Sequence, residues 1–501
     1  MKKSKLIHIA IIIIGIIFIF LPAFHTSLWF DESYSVGIAN KGFAEIWKIT
    51  GHDVHPALYY WLLHIVYLIF GNNILMYRLF SVLAIVILGI LGYTHIRKDF
   101  GEKTGIIFSF LTYFLPIMCT YSQEVRMYSW SCLIVSLMAI YAYRFYKSIS
   151  ENDGNPNKKN LILFGIFSIC CCYIHYYALV TTGLINLILL IYLIVKRKDH
   201  IKDLRNFVIL AIIQVVLYIP WLVYFMGQLK HVDNGFWIVV DKISTTVEVL
   251  SFQFRRQLDT DFSFNINTIV PLIAAILMYV YIGIKIYKLK RAKEEIKSAV
   301  LSGGVYVGVI ALIFLISQIT PILYARYLLV MTGLYIFALS FIISKEKNKI
   351  IIGIIAGLIL ILGIFSNIQN IKINYDSSNK EVYNYIKEEI KPDDIIIYSN
   401  IGNGGVIAAY FPENKQYFLN FDHWDVEEAY KAYGPGMETA TTWEFLDNYT
   451  GRIWLIDSDN MGLYNAYFLK ENTVTLKETK RIDTTYHNYI YNVMLIEKMS
   501  I

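Results

Sequence analysis

The sequence has few charged residues and few cysteines for a chain of 501 residues. Charged residues make up 17% of the chain and hydrophobic residues 56%, a balance that excludes an ordinary soluble protein and is typical of several membrane spans. The five cysteines all fall in apolar segments, and three are consecutive, which fits neither a disulfide framework nor the CxxC spacing of a zinc site. They are Cys119, Cys132, Cys170, Cys171 and Cys172. We therefore expect them to be small buried hydrophobic residues.

The formal net charge of +6 is divided unevenly along the chain. Residues 370–501 contain 12 Lys and Arg against 20 Asp and Glu, which leaves 33 against 19 for residues 1–369. The C-terminal segment is therefore acidic and the apolar part is basic. Because lysine and arginine collect in the loops that stay in the cytoplasm, we interpret the basic excess as a sign of membrane topology and not of nucleic-acid binding.

Apolar runs of spanning length predict a polytopic α-helical membrane protein with about 11 transmembrane helices. We place them at 6–23, 74–94, 104–120, 128–146, 160–177, 178–195, 206–226, 267–288, 299–318, 322–343 and 349–367. This assignment keeps the basic loops on the cytoplasmic side. Residues 57–70 are also apolar but are short for a span, and a crossing there would invert every later basic loop. We therefore expect an interfacial helix at 57–70 on the extracytoplasmic side.

Two domains follow from this topology. Residues 1–369 form the predicted transmembrane domain, with a first outer loop at 24–73 that holds interfacial helices. Residues 370–501 form a predicted extracytoplasmic soluble domain, in which short apolar runs alternate with polar helical patterns and indicate an α/β fold. We expect strands at 394–399, 416–421, 452–457 and 489–497, and helices near 379–390 and 440–449.

Two adjacent carboxylates, Asp31 and Glu32, follow the first span by a few residues. Ionisable side chains at a membrane surface are costly to desolvate and are candidates for function. Partial desolvation favours a carboxylate as a general base, so this acidic pair is a candidate catalytic site. The alternative is a structural role at the start of a helix, whose N-terminus favours negative charge.

A second group of polar residues in the same loop contains His52, Asp53 and His55. Together with the acidic pair, these side chains would form a mixed nitrogen and oxygen site of a kind that a divalent ion such as Zn²⁺ or Mn²⁺ accepts. The other interpretation is that His55 and Pro56 begin the interfacial helix, because proline favours the first helical position. We favour the helix start, and a metal ion at His52, Asp53 and His55 is the alternative.

Two arginines fall at the predicted outer ends of spans, where the distribution of basic residues does not favour them. Arg126 has Glu124 close by in sequence, and Arg326 lies near the start of a later span. Arg126 either pairs with Glu124 or binds an anionic ligand, and a guanidinium suits phosphate because it donates two parallel hydrogen bonds. We favour the phosphate of a polyprenyl-phosphate headgroup. His175 and Tyr176 would line the same cavity or pack at the interface.

Five motifs occur in a fixed order over roughly residues 1–345. They are Trp29-Phe30-Asp31-Glu32-Ser33-Tyr34, His55-Pro56-Ala57-Leu58-Tyr59-Tyr60, Ser122-Gln123-Glu124-Val125-Arg126-Met127-Tyr128, His175-Tyr176 and Arg326-Tyr327. This set resembles the bacterial integral-membrane glycosyltransferases of the C-type fold, and within them family 39, the protein-mannosyltransferase and aminoarabinose-transferase-like group. One departure is Ala57, where many relatives have a second proline.

The resemblance implies an inverting glycosyltransferase of the cell membrane that uses a polyprenyl-phosphate-linked sugar on the extracytoplasmic side. Asp31 would then be catalytic, with Glu32 beside it. The donor phosphate would be bound by Arg126, Tyr128 and Arg326, and the substrates by His55, Tyr59, Glu124, His175 and Tyr176. The acceptor could be a lipid, a glycan or a protein. The alternative is a lipid-linked-sugar flippase or a small-molecule transporter, which we favour less because the candidate charges gather at one face and no repeated halves are evident.

Overall fold

The computed structural model describes residues 3–150, 158–233, 238, 241–256, 265–291, 296–398, 401–420, 430–434, 437–458, 462, 464, 467–468 and 474–499. The chain forms two compact units. The helical unit consists of Met1–Leu21 and Leu79–Gln369, and the mixed unit consists of Pro22–Arg78 and Asn370–Ile501. The loop that we predicted at 24–73 is therefore part of one compact unit with the C-terminal residues.

The helices of the described residues, in chain order, are α1 (Lys3–Phe20), α2 (Phe30–Ala39), α3 (Phe43–Gly51), α4 (Leu58–Phe70), α5 (Ile74–Leu91), α6 (Arg97–Phe100), α7 (Glu102–Phe114), α8 (Pro116–Tyr121), α9 (Tyr128–Ser150), α10 (Lys158–Ile174), α11 (Tyr176–Val195), α12 (Ile201–Asp233), α13 (Lys242–Ser251), α14 (Ile266–Arg291), α15 (Lys297–Ile316), α16 (Thr332–Ser344), α17 (Lys349–Asn374), α18 (Glu381–Glu389) and α19 (Ile401–Tyr410). A π-helical turn, Gly92–Ile96, joins α5 to α6, and short 3₁₀ segments lie at Phe252–Phe254, Ala325–Met331, Ser377–Lys380 and Glu444–Leu446.

Nine helical segments of the described residues are long and apolar enough to cross a membrane. They are Lys3–Phe20, Ile74–Phe100, Tyr128–Ser150, Tyr176–Val195, Ile201–Leu229, Ile266–Arg291, Lys297–Ile316, Ala325–Ser344 and Lys349–Asn374. The predicted polytopic helical fold is confirmed, and the number of spans differs from the eleven expected. The other two predicted spans, 104–120 and 160–177, are also helical, but their helices are shorter than the nine.

The helix α7 has 13 residues because Pro116 follows it closely. A proline forces the residue before it out of the helical region, and Leu115 accordingly has an extended backbone with ψ 132°. The chain then continues as the short helix α8. The other predicted span corresponds to α10, which has 17 residues. The helix α4, with 13 residues, has the short length expected for a helix that does not cross.

The C-terminal residues of the mixed unit form a six-stranded sheet, which confirms the predicted α/β domain. Its strands are β1 (Ile395–Tyr398), β2 (Lys415–Leu419), β3 (Met437–Ala440), β4 (Gly451–Asp457), β5 (Val474–Asp483) and β6 (Ile490–Lys498), in the order β3-β2-β1-β4-β6-β5. The pairs among β1, β2, β3 and β4 are parallel, and β6 is antiparallel to both β4 and β5.

Four of these strands, β1, β2, β4 and β6, lie where the apolar runs predicted them. The strand β5 was not predicted because it lies at the edge of the sheet and is mostly exposed, so that it contains no apolar run. The strand β3 is the other edge strand and has only four residues. The prediction of a helix near 440–449 was wrong. Ala440 is the last residue of β3, and the helical part of this stretch is the 3₁₀ turn Glu444–Leu446.

Candidate functional site

The acidic pair lies in the first turn of α2, in the mixed unit. Trp29 precedes this helix with an extended backbone, and Asp31 and Glu32 follow immediately. Negative charge is favoured in a first helical turn, where backbone N–H groups lack partners. Adjacent helical residues do not face the same way. Accordingly, Glu32 is completely buried while Asp31 is partly exposed.

Glu32 forms a buried, two-pronged ion pair with Arg78. The Arg78 Nη1 atom donates to Oε1 of Glu32 at 2.7 Å and Nη2 donates to Oε2 at 3.1 Å. Two more guanidinium N–H groups donate to backbone carbonyl oxygens, with Nε 3.3 Å from the oxygen of His25 and Nη2 2.7 Å from that of Ser27. The Tyr486 hydroxyl also donates to Oε2 of Glu32 at 3.1 Å. Such pairing satisfies two charges that would otherwise be very costly to bury.

Arg78 is a residue that our sequence analysis missed. It lies inside the apolar run of α5, which we interpreted only as a span. An arginine within an apolar segment is itself a signal, because ionisable residues there are rare and normally have a partner. The identity of that partner was not readable from the sequence, since Glu32 is 46 positions away.

Aromatic residues of the C-terminal segment hold the chain just before α2. The Tyr410 hydroxyl accepts from the Leu28 N–H at 3.0 Å, and burial raises the pKa of Tyr410 well above its usual range. The Tyr489 hydroxyl accepts from the N–H of Phe30, also at 3.0 Å. These contacts fix the backbone on which the acidic pair stands.

Two further rings pack on the same stretch. The His487 ring stacks on Trp29 with centroids 4.4 Å apart and planes 5° apart. The Tyr433 ring stacks on Phe30 with centroids 5.2 Å apart. His487 lies in the turn that joins β5 to β6, so the tip of this hairpin is in direct contact with the start of α2.

The polar group His52, Asp53 and His55 follows α3. The Nδ1 atom of His55 lies 3.0 Å from Oδ2 of Asp53, and Nδ1 of His52 lies 2.8 Å from the carbonyl oxygen of Lys48. Burial, with a smaller effect from Asp53, raises the pKa of Tyr430 to about 12. In the part of the chain that the structure describes, no group of three His, Cys, Asp or Glu side chains is arranged to hold a metal ion.

Tyr59, which the motif placed among the substrate contacts, is completely buried in α4. Its ring packs edge-on against that of Tyr60, with centroids 5.5 Å apart. Tyr60 in turn packs against Tyr34 of α2 at 5.4 Å. The side chain of Tyr59 therefore contributes to the packing between α2 and α4.

A separate group of candidate residues lies in the helical unit and includes the buried Arg126 and the partly buried Arg326. Arg126 is 3% exposed and lies in the segment between α8 and α9. Its backbone N–H donates to the carbonyl oxygen of Glu124 at 2.7 Å. The Glu124 carboxylate forms an ion pair with Arg326, whose Nη1 lies 3.9 Å from Oε1 of Glu124. The Arg326 guanidinium also lies 6.0 Å from the ring centroid of Tyr121.

A cluster of aromatic rings adjoins these arginines. Tyr128, at the start of α9, lies 5.9 Å from the His175 ring and 6.1 Å from the Tyr327 ring. His175 and Tyr327 are 5.0 Å apart. His175 also caps α11, because its Nδ1 accepts from the Tyr177 N–H at 3.0 Å. A neutral His175 therefore carries its proton on Nε2.

Tyr176 lies beside this cluster but in a different set of contacts. Its hydroxyl donates to the Gln228 side chain and accepts from Nε1 of Trp221 at 3.1 Å. These bonds join the start of α11 to α12. Tyr176 and His175, although adjacent in sequence, therefore have different partners.

Arg255 is a third candidate arginine beside Arg126 and Arg326, and our sequence analysis missed it. It is 1% exposed, and its Nη1 lies 3.9 Å from Oε1 of Glu248. The 3₁₀ turn just before it is anchored by Gln253, whose Nε2 donates to the Tyr306 hydroxyl at 3.0 Å and to Thr332 at 3.2 Å. Thr332 begins α16, directly after the 3₁₀ segment that carries Arg326. The signal that could have identified Arg255 is its position in the loop between the predicted spans 206–226 and 267–288.

Comparisons with known proteins agree with this architecture. Residues 54–224 match the family model described as dolichyl-phosphate-mannose-protein mannosyltransferase. Two crystal structures of ArnT from Cupriavidus metallidurans have the same fold, each with a TM-score of 0.54 over 99% of this chain and 98% of that chain. The structure in the apo state is 11% identical to this chain, and the one bound to undecaprenyl phosphate is 12% identical. A search of curated proteins gives no match. The predicted resemblance and the predicted fold are confirmed.

Proposed function

We propose that this chain is an inverting glycosyltransferase that moves a sugar from a polyprenyl-phosphate donor to an acceptor hydroxyl on the extracytoplasmic face of the membrane. The main support for this function is the fold match to ArnT over 99% of this chain. One of the ArnT structures is bound to undecaprenyl phosphate. The family match over residues 54–224 supports the same chemistry, because that family is described by a lipid-phosphate sugar donor.

Asp31 is the general base in this mechanism. Its carboxylate takes the proton of the acceptor hydroxyl while the hydroxyl oxygen attacks the anomeric carbon from the face opposite the phosphate. The new carbon–oxygen bond forms as the bond to the phosphate oxygen breaks, and the electron pair of the broken bond stays on the polyprenyl phosphate. A single displacement inverts the anomeric centre. The partial exposure of Asp31 supports this role, because a base must reach its substrate.

Glu32 is a positioning residue in this mechanism and not a second base. Both its carboxylate oxygens accept hydrogen bonds from Arg78, and one also accepts from Tyr486. A carboxylate held this way cannot readily turn toward a substrate. Its function is to fix the first turn of α2, and with it the backbone of Asp31.

The arginines of the helical unit bind the donor phosphate. Arg126 and Arg326 stabilise the negative charge that develops on the departing phosphate, and Arg255 adds a third guanidinium. The burial of Arg126 and Arg255 supports this role, because charge stabilisation is stronger away from water. Tyr128 supplies a hydroxyl near the same groups.

The other predicted substrate contacts divide by their surroundings. Glu124 orients Arg326 through their ion pair, and Nε2 of His175 contacts a substrate oxygen, because Nδ1 accepts from the Tyr177 N–H. His55 and the hydroxyl of Tyr176 bind the acceptor or the sugar. Tyr59 stays a predicted substrate contact, and its ring also supports α2 through Tyr60.

The test is a strain that lacks the gene and carries either the wild-type protein, D31N or E45Q. Glu45 is an exposed carboxylate of α3 that pairs with Lys41, so E45Q is a matched control. Mass spectrometry of envelope glycans, glycoproteins and lipid-linked sugars reads out donor and acceptor together. We expect D31N to lack one envelope sugar and to accumulate its polyprenyl-phosphate donor, because loss of a general base lowers turnover by about 10²–10⁴-fold.

Two outcomes would contradict the mechanism. Normal envelope glycans in the D31N strain would exclude Asp31 as the base. Unchanged glycans in the strain that lacks the gene, with a changed distribution of lipid-linked sugar across the membrane, would indicate a flippase instead.

A further inference from the structure

An apolar cavity of about 230 Å³ lies within the helical unit, between α9, α11, α15 and α16. Its walls are mostly aliphatic and aromatic side chains, among them Phe108, Ile140, Leu189, Leu301 and Phe337. An apolar cavity that is left empty lowers stability, because the side chains around it lose van der Waals contacts. An apolar occupant would restore them.

On α9 and α11, the cavity lies toward the helix ends that are remote from Tyr128 and His175. The helix α9 begins at Tyr128, beside the candidate site, and lines the cavity from Ser136 to Tyr146. At 1.5 Å per residue, the lined stretch is about 15 Å long, and Tyr146 is about 27 Å along the helix from Tyr128. The cavity therefore reaches through roughly half the hydrocarbon thickness of a bilayer.

Polar groups are present at one end of the cavity. Lys297, the first residue of α15, is exposed, and its Nζ donates to the Tyr146 hydroxyl at 2.5 Å. The Tyr192 ring packs against that of Tyr146 with centroids 4.7 Å apart. An ammonium group and two phenols thus line the mouth of an otherwise apolar cavity.

This combination matches a lipid with a negatively charged headgroup. A lysine is a point charge that binds phosphate, and tyrosine hydroxyls donate hydrogen bonds at a membrane interface. Basic residues collect at the cytoplasmic ends of spans, and Lys297 lies in the basic loop between the predicted spans 267–288 and 299–318, which our topology assigns to the cytoplasm. We propose that the cavity binds one acyl chain of an anionic phospholipid of the inner leaflet, with its phosphate beside Lys297.

The donor lipid is a different occupant with a different headgroup position. The proposed donor phosphate lies with Arg126 and Arg326, near the first residue of α9, whereas Lys297 contacts Tyr146 near the other end of the same helix. About 27 Å separates these levels. A single phosphate cannot lie at both levels, so the two headgroup positions are distinct.

Native mass spectrometry of the full-length protein in detergent tests this site, with phosphatidylglycerol and phosphatidylcholine of identical acyl chains as probes. We expect the wild type to bind one phosphatidylglycerol at least tenfold more tightly than phosphatidylcholine. K297Q should lose that tenfold preference. The matched control is K288Q, because Lys288 is an exposed lysine of α14 that does not line the cavity.

A second variant tests the cavity rather than the charge. Ala139 of α9 lines the cavity, and A139F should fill it and abolish phosphatidylglycerol binding while Lys297 is intact. Equal binding of the two phospholipids, unchanged preference in K297Q or equal loss in K288Q would overturn the proposal. So would displacement of phosphatidylglycerol by an equimolar polyprenyl phosphate, since the cavity would then belong to the donor lipid. Should A139F fail to fold, the comparison of K297Q with K288Q still decides.

Discussion

Adjacent carboxylates have opposite environments at the start of α2. Glu32 is completely buried and accepts two hydrogen bonds from Arg78, whereas Asp31 is partly exposed. The burial of one charge is tolerated because its partner is equally buried and correctly oriented. Removing either partner leaves the other charge buried without compensation, which costs more than the intact pair contributes. The pair is therefore best tested by comparing single and double substitutions.

We predict that E32Q and R78Q each lower the free energy of unfolding by about 3–5 kcal/mol. The free energy of unfolding of the double variant should fall by less than the sum of the two single losses, because the effects of residues in direct contact are not additive. Chemical unfolding of the purified protein measures all three. E45Q is the control, since Glu45 belongs to an exposed pair whose loss should cost about 0–1 kcal/mol. Strict additivity of the two single losses would show that Glu32 and Arg78 are not coupled.

The sequence identified the acidic pair as a candidate site but could not divide the roles within it. Position relative to the first span indicated that both carboxylates were unusual. The division depends on which side of α2 faces Arg78 and Tyr486, and these partners are 46 and 454 positions away from Glu32. Local patterns contain no information about such distant contacts. The same limit explains why the ion pair of Glu124 with Arg326, which is distant in the sequence, could not be predicted from local patterns.

Among the elements, the turn between β5 and β6 is the one most closely connected to the acidic pair. Tyr486 donates to Glu32, and His487 stacks on Trp29. Both His487 and Asn488 have positive φ, at 58° and 52°. Residues other than glycine rarely adopt this conformation, and asparagine tolerates it better than most. The turn therefore depends on its sequence to present Tyr486 and His487 correctly.

We predict that N488V destabilises this turn by about 1–2 kcal/mol, because a β-branched residue strongly disfavours positive φ. N488G should be nearly neutral, since glycine adopts that conformation freely. Hydrogen exchange of residues 30–39 measures the effect on α2, and sugar transfer measures the effect on the site. Equal exchange and equal transfer in the two variants would show that the turn does not position the acidic pair.

The connection between α16 and α17 is held by Glu346. Its Oε1 accepts from the backbone N–H groups of Lys347 and Asn348 at 2.8 and 2.9 Å, and its Oε2 lies 2.8 Å from Nζ of Lys285. The hydrogen bond from Lys285 and those from the backbone lower the pKa of Glu346 to about 2, from an ordinary value of 4.5. The folded protein therefore favours the ionised carboxylate more than the unfolded chain does.

A group with a lowered pKa stabilises the fold above its unfolded pKa, and this contribution is lost as the pH falls through the folded pKa. We predict that the melting temperature of E346Q is below that of the wild type at pH 7. The difference should shrink between about pH 4.5 and pH 2. E413Q is the control, because Glu413 is exposed. A difference that stays constant over this pH range would exclude the ionised form of Glu346 as the stabilising species.

At the scale of the whole molecule, the mixed unit is built from segments that are far apart in sequence. Pro22–Arg78 form one compact unit with Asn370–Ile501. Hydropathy identified the spans and the sheet domain, since apolar runs of different length report both. It could not show that the loop and the C-terminal segment share a core, because almost 300 residues separate them. The C-terminal segment thus has a function that its own sequence did not suggest, which is to support the loop that carries Asp31.

At Gly37, the contact between α2 and the C-terminal segment leaves no room for one added carbon atom. This glycine lies in α2, and a Cβ at this position would be 2.0 Å from the carbonyl oxygen of Ala432 and 2.7 Å from that of Tyr433. Backbone oxygens cannot move aside as a flexible side chain does. The absence of a side chain at Gly37 therefore allows α2 to approach the C-terminal segment closely.

We predict that G37A lowers the free energy of unfolding by about 1–3 kcal/mol, the usual cost of overpacking. The direction of the change in stability is informative. Alanine stabilises an isolated helix by about 1 kcal/mol relative to glycine, so helix propensity alone would make G37A more stable than the wild type. G42A is the matched control, since a Cβ on Gly42 meets no atom within 4 Å. Sugar transfer should fall in G37A and persist in G42A. A G37A variant with wild-type stability and transfer would show that close contact between α2 and residues 432–433 is not required to hold Asp31 in place.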